Sequence, residues 1–388
     1  MGVVDVGVGG GVAVYGPCRV VVEDGCFLVS GLRVCSGGVF VVGGARGVTL
    51  FCVDGPCRLR VGGGGSWRLV GGDGFRVARE WLRVIDDIGA RGFRRVVVVG
   101  PVDSGKSSFA CWVHNRLGYC VVEGDVGQNE LGLPCFVCLS CGGCSPSLFG
   151  LGVDYAFFVG HVSAERVVDG VVAGVVSAVR RAGGRGVVVD TDGFVSGRGL
   201  LYKVWLCEAV GADLVVVLGG GFGGVFRGAG FEVVEAPRPP QVLGRGRVDR
   251  RVFRERMYAR LFSDSYSVVL RLGEVEVVNM CRFGGVVRER GRVCLEDCDG
   301  RRVCVGRRWA SGLLAGLRVG GGGFVPGLVE RFDAAGGRVV LRVPRCYSVS
   351  PGDVSLLVLG CVRLGEGFRE VWAGRSCYFP FDLLRSAR

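Results

Sequence analysis

Short apolar runs rich in valine recur over the first part of the chain, at 19–22, 26–29, 39–42, 48–53 and 57–61, each soon followed by glycine. Regular turn signals with almost no helical periodicity predict a small β domain over 1–85, with a short helical stretch near 77–88 at its end. From Phe93 the pattern changes. Apolar runs at 95–99, 120–122, 156–159, 186–189 and 213–218 alternate with helical stretches at 108–117, 167–181 and 200–210. That alternation predicts a doubly wound α/β domain over 86–263, built on a mostly parallel sheet. Beyond Asp264 strand patterning returns, at 268–272, 275–278, 339–343 and 355–359, and predicts a β-rich C-terminal domain over 264–388. No internal repeat suggests a solenoid.

Composition adds little to that picture. The net charge of +12 over 388 residues would ordinarily point to a polyanionic partner. Here only two of the 48 basic residues are lysine, and isoleucine occurs only at 85 and 88. Such a bias runs through the whole chain, so the position of the arginines says more than their number. The N-terminus lacks a basic, apolar secretory leader, and no uncharged apolar run reaches the ~18 residues of a membrane span. The expectation is a cytoplasmic protein without a membrane partner, whose 19 cysteines are mostly buried thiols. Disulfides remain open if the source is a hyperthermophile. Two histidines, His114 and His161, are too few for a His-based metal centre or triad.

One of the two lysines carries the clearest chemistry. Gly100-Pro101-Val102-Asp103-Ser104-Gly105-Lys106-Ser107, followed by Ser108, is a complete G-x-x-x-x-G-K-S phosphate loop after the apolar run 96–99. Backbone N–H groups of such a loop cradle phosphates, the compact ammonium reaches the β/γ-phosphates, and the serine hydroxyl binds Mg²⁺. The next strand ends in Glu123-Gly124-Asp125-Val126-Gly127-Gln128, whose carboxylates would face Mg²⁺ and the γ-phosphate. Asp190-Thr191-Asp192-Gly193-Phe194 closes another strand at the same sheet edge. It resembles the D-x-x-G element of GTPases, but neither Lys106 nor Lys203 sits in the N-K-x-D that reads guanine. Arginines crowd 245–260: either a solvated basic helix, or a lid bringing guanidinium groups onto a transferring phosphoryl.

In this order, G-P-x-D-x-G-K-S, E-x-D-V-G-Q, D-T-x-G-[aromatic]-V-x-G-x-G and R-x4-R-R-x2-R, the motifs resemble the polynucleotide 5′-hydroxyl kinases. That family includes the kinase subunit of the messenger-RNA cleavage machinery and the kinases of ribosomal-RNA and tRNA processing. The resemblance extends to Phe158-Val159-Gly160, Gly312–Leu317 and Gly327–Glu330, and so covers most of the chain. It implies a β–α/β–β three-domain chain that moves the γ-phosphate of ATP to the 5′-hydroxyl of RNA, or of DNA, alongside RNA-processing proteins. Lys106 and Ser107 would hold ATP and Mg²⁺. Asp125 would be the general base or metal-side carboxylate, supported by Glu123 and Gln128. Thr191, Gly193 and Phe194 would form the clasp that locks the phosphate loop and stacks on the first nucleotide. Arg245 and Arg250 would be the lid arginines. The usual clasp tryptophan is phenylalanine here, which keeps a stacking face but loses the indole N–H. Two rival readings are a nucleotide-bound scaffold with little turnover and a P-loop GTPase. Lys203 reads equally as a phosphate contact or a surface residue.

Cys135, Cys138, Cys141 and Cys144 stand at C-x2-C-x2-C-x2-C, a spacing known from zinc and iron–sulfur sites. They begin where the resemblance places an extended strand, whose alternating pleat would send such side chains to different faces.

Overall fold

The computed structural model describes residues 2–373, apart from 44–46, 243, 280–282, 290–291, 298–301, 306–308 and 334–335. The last part of the expected C-terminal domain, 374–388, lies outside them. The strands between Gly2 and Val70 form two antiparallel sheets, of four and five strands. Alternate side chains of both enclose one core, in which Val4, Val20 and Leu59 of the first sheet meet Val12, Phe27 and Leu50 of the second. Two disulfides, Cys26–Cys35 and Cys52–Cys57, staple this sandwich.

Helix α1, Gly72–Arg91, is longer than the pattern predicts and straddles the expected break at residue 85. It buries Ala78, Trp81, Ile85 and Ile88, which share one face at helical spacing. Trp81 sets its ring edge-on against Phe109 and Trp112 of α2, Lys106–Leu117, and so ties the sandwich to the phosphate-loop domain.

The central sheet has seven strands, in the order Tyr155–Phe158, Phe136–Ser140, Cys120–Glu123, Val187–Asp190, Arg95–Val99, Leu214–Leu218 and Val233–Ala236. The last five run parallel, and the first two pair antiparallel at one edge. Successive valines leave opposite faces. Val96, Val98 and Val121 pack toward α1, α2 and α6 (Arg247–Phe262), while Val97, Val99 and Val122 pack toward α3 (Val168–Arg181) and α4 (Arg198–Val210). Helices on both faces explain why these strands read as unbroken apolar runs. A short α5, Gly223–Gly228, adds Phe226 to the second face. The disulfide Cys120–Cys141 joins the start of one strand to the end of its antiparallel neighbour.

The C-terminal part is a largely antiparallel sheet centred on Leu313–Val319, Phe324–Asp333, Arg338–Pro344 and Val354–Leu364, with a separate three-stranded sheet of Phe283–Glu289, Arg292–Asp297 and Arg302–Val305. It docks on the edge strand of the central sheet, with Phe324 edge-on to Phe157 at 5.6 Å and the Cys361 N–H donating to Gly160. No helix among the described residues is long and apolar enough to cross a membrane.

Candidate active site

Three adjacent parallel strands end at one edge, and each delivers a piece of the site. Arg95–Val99 leads into the phosphate loop, Cys120–Glu123 into Asp125, and Val187–Asp190 into the clasp. Ligands of open α/β sheets bind at this carboxyl edge. The loop folds around a small void. Gly105 takes φ +95°, which favours glycine, and starts α2 with no side chain capping the helix N-terminus. Ser104 Oγ is fully buried without a hydrogen-bond partner among the described residues. Lys106 is buried and folds back, its Nζ donating to the Pro101 carbonyl at 2.8 Å. Burial pulls its ammonium below the ordinary lysine value, against the opposing pull of the Asp190 and Asp125 carboxylates.

The two candidate carboxylates after the second strand part company. Asp125 lines the cleft, its Oδ1 accepting the N–H groups of Gly127 and Gln128 at 3.0 Å each. Glu123 does not reach the cleft. Its side chain is fully buried and accepts the Glu130 and Leu131 N–H groups at 2.9 and 2.6 Å. Burial raises this carboxyl well above the usual range, with the Glu130 and Asp190 carboxylates adding to the effect. The structure thus gives Glu123 a place beneath the site, where it shapes the loop after the strand. Gln128 lines the cleft, and its amide donates to the carbonyls of Gly127 and Arg250 at 2.6 and 3.2 Å.

In the clasp, Thr191 lies below the surface, its hydroxyl bonded to the Val98 carbonyl at 2.8 Å. Gly193 sits so close to the phosphate loop that a Cβ there would lie 2.4 Å from Val102 Cγ2 and 2.7 Å from its nitrogen. Only glycine allows this contact, which presses clasp on loop. Phe194 lines the cleft and is half-buried. Lys203 is neither a surface lysine nor free to take a phosphate. It is 0% exposed and pairs with Asp192 at 2.7 Å.

Most of the arginine segment is the helix α6, which brings Arg247 to the cleft. Arg245 docks on the phosphate loop itself, its Nε and Nη2 on Asp103 Oδ1 at 3.0 and 2.9 Å, its backbone N–H on Oδ2 at 2.9 Å. Asp103 adopts φ +57° to meet it. Arg250 and Arg254 also line the cleft. Arg254 forms a two-pronged pair with Glu370, 2.7 Å at each oxygen, which fastens α6 to the C-terminal strand Glu370–Ala373. Arg260 is not simply solvated; its guanidinium stacks on Phe149 at 3.9 Å.

Together these groups enclose a cleft of about 650 Å³. Its apolar lining includes Tyr15, Val48, Phe51, Trp81 and Pro239, with Trp81 and Pro239 set against Gly105 of the phosphate loop. Trp81 is a site residue that pattern reading misses; an aromatic on the helix just before the phosphate loop is its one signal. The four cysteines do not converge. Cys141 is bonded to Cys120, Cys135 and Cys138 are separately buried, and Cys144 is exposed. No group of three or more metal-ligating side chains occurs among the described residues.

Residues 100–264 match the sequence family described as the mRNA cleavage and polyadenylation factor CLP1 P-loop. Over this segment the chain is similar to that family. The chain is 30% identical over 210 residues to a polyribonucleotide 5′-hydroxyl-kinase of Thermococcus kodakarensis, a match covering 49% of this chain and 58% of that protein. It is 25% identical over 225 residues to the polyribonucleotide 5′-hydroxyl-kinase of Pyrococcus furiosus, covering 55% and 64%. The aligned part therefore spans less than two thirds of these relatives. In fold the chain is similar to Clp1p solved in complex with Pcf11p, at a TM-score of 0.69, 10% identity and 93% coverage of this chain. A second Clp1p–Pcf11p structure, whose subject includes ATP loss in a point mutant, gives 0.65 at the same identity.

The phosphate loop fits a nucleoside triphosphate on its own geometry. The orphaned Ser104 hydroxyl and the uncapped start of α2 are donors for phosphate oxygens. Ser107 and Asp125, both facing the cleft, are hard oxygen donors of the kind Mg²⁺ takes.

Proposed function

We propose that this protein transfers the γ-phosphate of ATP to the 5′-hydroxyl end of RNA, with DNA as a weaker or equal acceptor. The observation that carries the reading is that one cleft joins a phosphate loop, a carboxylate at Asp125, an aromatic clasp at Phe194 and a guanidinium lid. The kinase relatives point the same way. The boundaries 1–85, 86–263 and 264–388 serve as working limits for its three parts.

In this reading the base of ATP meets the apolar lining beside Trp81, and its phosphates lie on the loop against Lys106. Ser107 and Asp125 would hold Mg²⁺, which when bound offsets charge on the β- and γ-phosphate oxygens. Phe194 stacks on the terminal base of the acceptor and fixes its 5′ oxygen for in-line attack on the γ-phosphorus. The new P–O bond forms as the bond to the β–γ bridging oxygen breaks. The hydroxyl proton passes to Asp125, and ADP leaves. Arg250 is placed to offset charge on the moving phosphoryl.

The test is end-specific. Matched RNAs bearing 5′-hydroxyl or 5′-phosphate ends are incubated with ATP and Mg²⁺, and the products are mapped. Phosphate gained at the 5′-hydroxyl end alone supports the reading; ATP hydrolysis without an acceptor product refutes it.

A further inference from the structure

Both lysines of the chain are buried, in a protein that writes its other 46 basic positions as arginine. Lys106 has the phosphate loop to explain it. Lys203 does not. Its Nζ lies 2.7 Å from Asp192 Oδ2, and the Tyr202 hydroxyl donates to that same oxygen at 2.8 Å. Asp192 Oδ1 accepts the N–H of Phe194, also at 2.8 Å. All three side chains are buried, Lys203 and Tyr202 almost completely. Tyr202 and Lys203 stand on consecutive positions of α4. Gly199, one turn earlier on α4, lets the Phe194 backbone lie against the helix, since a Cβ there would come within 2.4 Å of the Phe194 oxygen.

We infer that Lys203 is a positioning residue for the acceptor: through Asp192 it sets the Phe194 backbone and hence the platform on which the terminal base stacks. This rests on the function proposed above and names how its acceptor subsite is held. The chain of contacts is short. Lys203 and Tyr202 occupy Oδ2, so the carboxylate can turn only Oδ1 toward Phe194. Burial alone would raise the Asp192 carboxyl. The Lys203 ammonium, with the hydrogen bonds of Lys203, Phe194 and Tyr202, outweighs it and holds the carboxyl below its usual range. Asp192 therefore stays an acceptor. Arginine does not substitute, because its planar fork needs more room than a single buried Nζ. Removing the ammonium leaves a buried carboxylate without its counter-charge, free to swing to other donors.

The experiment compares wild type, Lys203→Met, Lys203→Arg and Phe194→Ala at a temperature where circular dichroism shows all four folded. One readout is the split between KM for a 5′-hydroxyl RNA and KM for ATP. The other needs no turnover: fluorescence of an RNA with 2-aminopurine as its 5′ base, which is quenched on stacking. The expected result is quenching by wild type, lost in Phe194→Ala and in both Lys203 variants. The RNA KM should rise tenfold or more, with ATP KM within about twofold. Lys203→Met with wild-type quenching and RNA KM, and only a lower Tm, would reduce Lys203 to a stability role and overturn the inference. A wild type that phosphorylates RNA without quenching its 5′ base would overturn the inference alone. A wild type that neither quenches nor phosphorylates would overturn the proposed function, and the inference with it.

Discussion

Arg245→Ala removes the two side-chain hydrogen bonds from Arg245 to Asp103 and leaves the one from its backbone N–H, which survives the substitution. The side chains of the pair are 18% and 8% exposed, so it is neither a surface ion pair worth ~0–1 kcal/mol nor fully buried. Breaking a fully buried pair costs ~3–5 kcal/mol, and hydrogen bonds to charged groups contribute ~1.5–3 kcal/mol each. An intermediate site with two bonds sharing one oxygen gives a coupling of about 2 kcal/mol, or about 30-fold in an equilibrium constant. The perturbation reaches ATP, because the carboxylate left behind sits in the loop that must receive phosphates. Titration of a fluorescent ATP analogue should show Arg245→Ala binding about 30-fold more weakly than wild type, by the same conversion. Asp103→Asn alone should lose little, since its oxygen still accepts from Arg245. The double variant should recover most of the lost affinity, because a neutral amide then stands where the carboxylate had lost its counter-charge. Effects that simply add, with a coupling under about 0.5 kcal/mol, would refute the latch between lid and loop.

Lys106→Ala should abolish turnover while leaving the thermal unfolding midpoint within a few degrees of wild type, and Lys106→Arg should fail as well, since the site holds one compact cation; turnover by either variant contradicts the phosphate-loop assignment. Phe194→Ala should raise the RNA KM about 5- to 150-fold, from the ~1–3 kcal/mol of one base stack, with ATP KM nearly unchanged, and Phe194→Trp should stay active; equal shifts in both KM values would make Phe194 a packing residue. Glu123→Ala should lower stability by about 1–3 kcal/mol in urea titration, because two buried N–H groups lose their acceptor, without a selective change in RNA KM. The raised Glu123 carboxyl sets the sign of the pH dependence. Its contribution is present in full below the unfolded carboxyl value and is lost as pH rises through the folded one, so the stability gap between wild type and Glu123→Ala should narrow toward alkaline pH. A gap that widens instead would contradict the burial of Glu123.

What was legible in the sequence is what depends on near neighbours. The phosphate loop needs only a buried strand, eight loop positions and a helix start, all contiguous. The two-faced cover of the central sheet shows in its unbroken valine runs. Contacts between distant positions left little trace. Arg245 meets Asp103 across 142 residues, and nothing local marks Asp103 as its partner. Glu123 and Asp125 look alike at a strand end. Which one enters the cleft is decided by the loop that folds back over Glu123 with the Glu130 and Leu131 N–H groups. The cysteine spacing left metal and disulfide open for a related reason. Cys141 pairs with Cys120 because antiparallel register sets Val121 opposite Ser140, a constraint that spacing along one strand does not contain. The rarity of lysine was the one composition signal that pointed at the site twice, although the role of Lys203 became clear only from its burial against Asp192.

The central claim is transfer of phosphate to a 5′-hydroxyl end, and labelled γ-phosphate tests it most directly. Wild type and Asp125→Asn, each incubated with γ-labelled ATP, Mg²⁺ and a 5′-hydroxyl RNA, are compared for label retained on the RNA and removed by a 5′-end-specific phosphatase. The account predicts label at the 5′ end with wild type and most of it lost with Asp125→Asn, while both bind ATP. Label released only as inorganic phosphate by wild type, or equal labelling by both proteins, would contradict it.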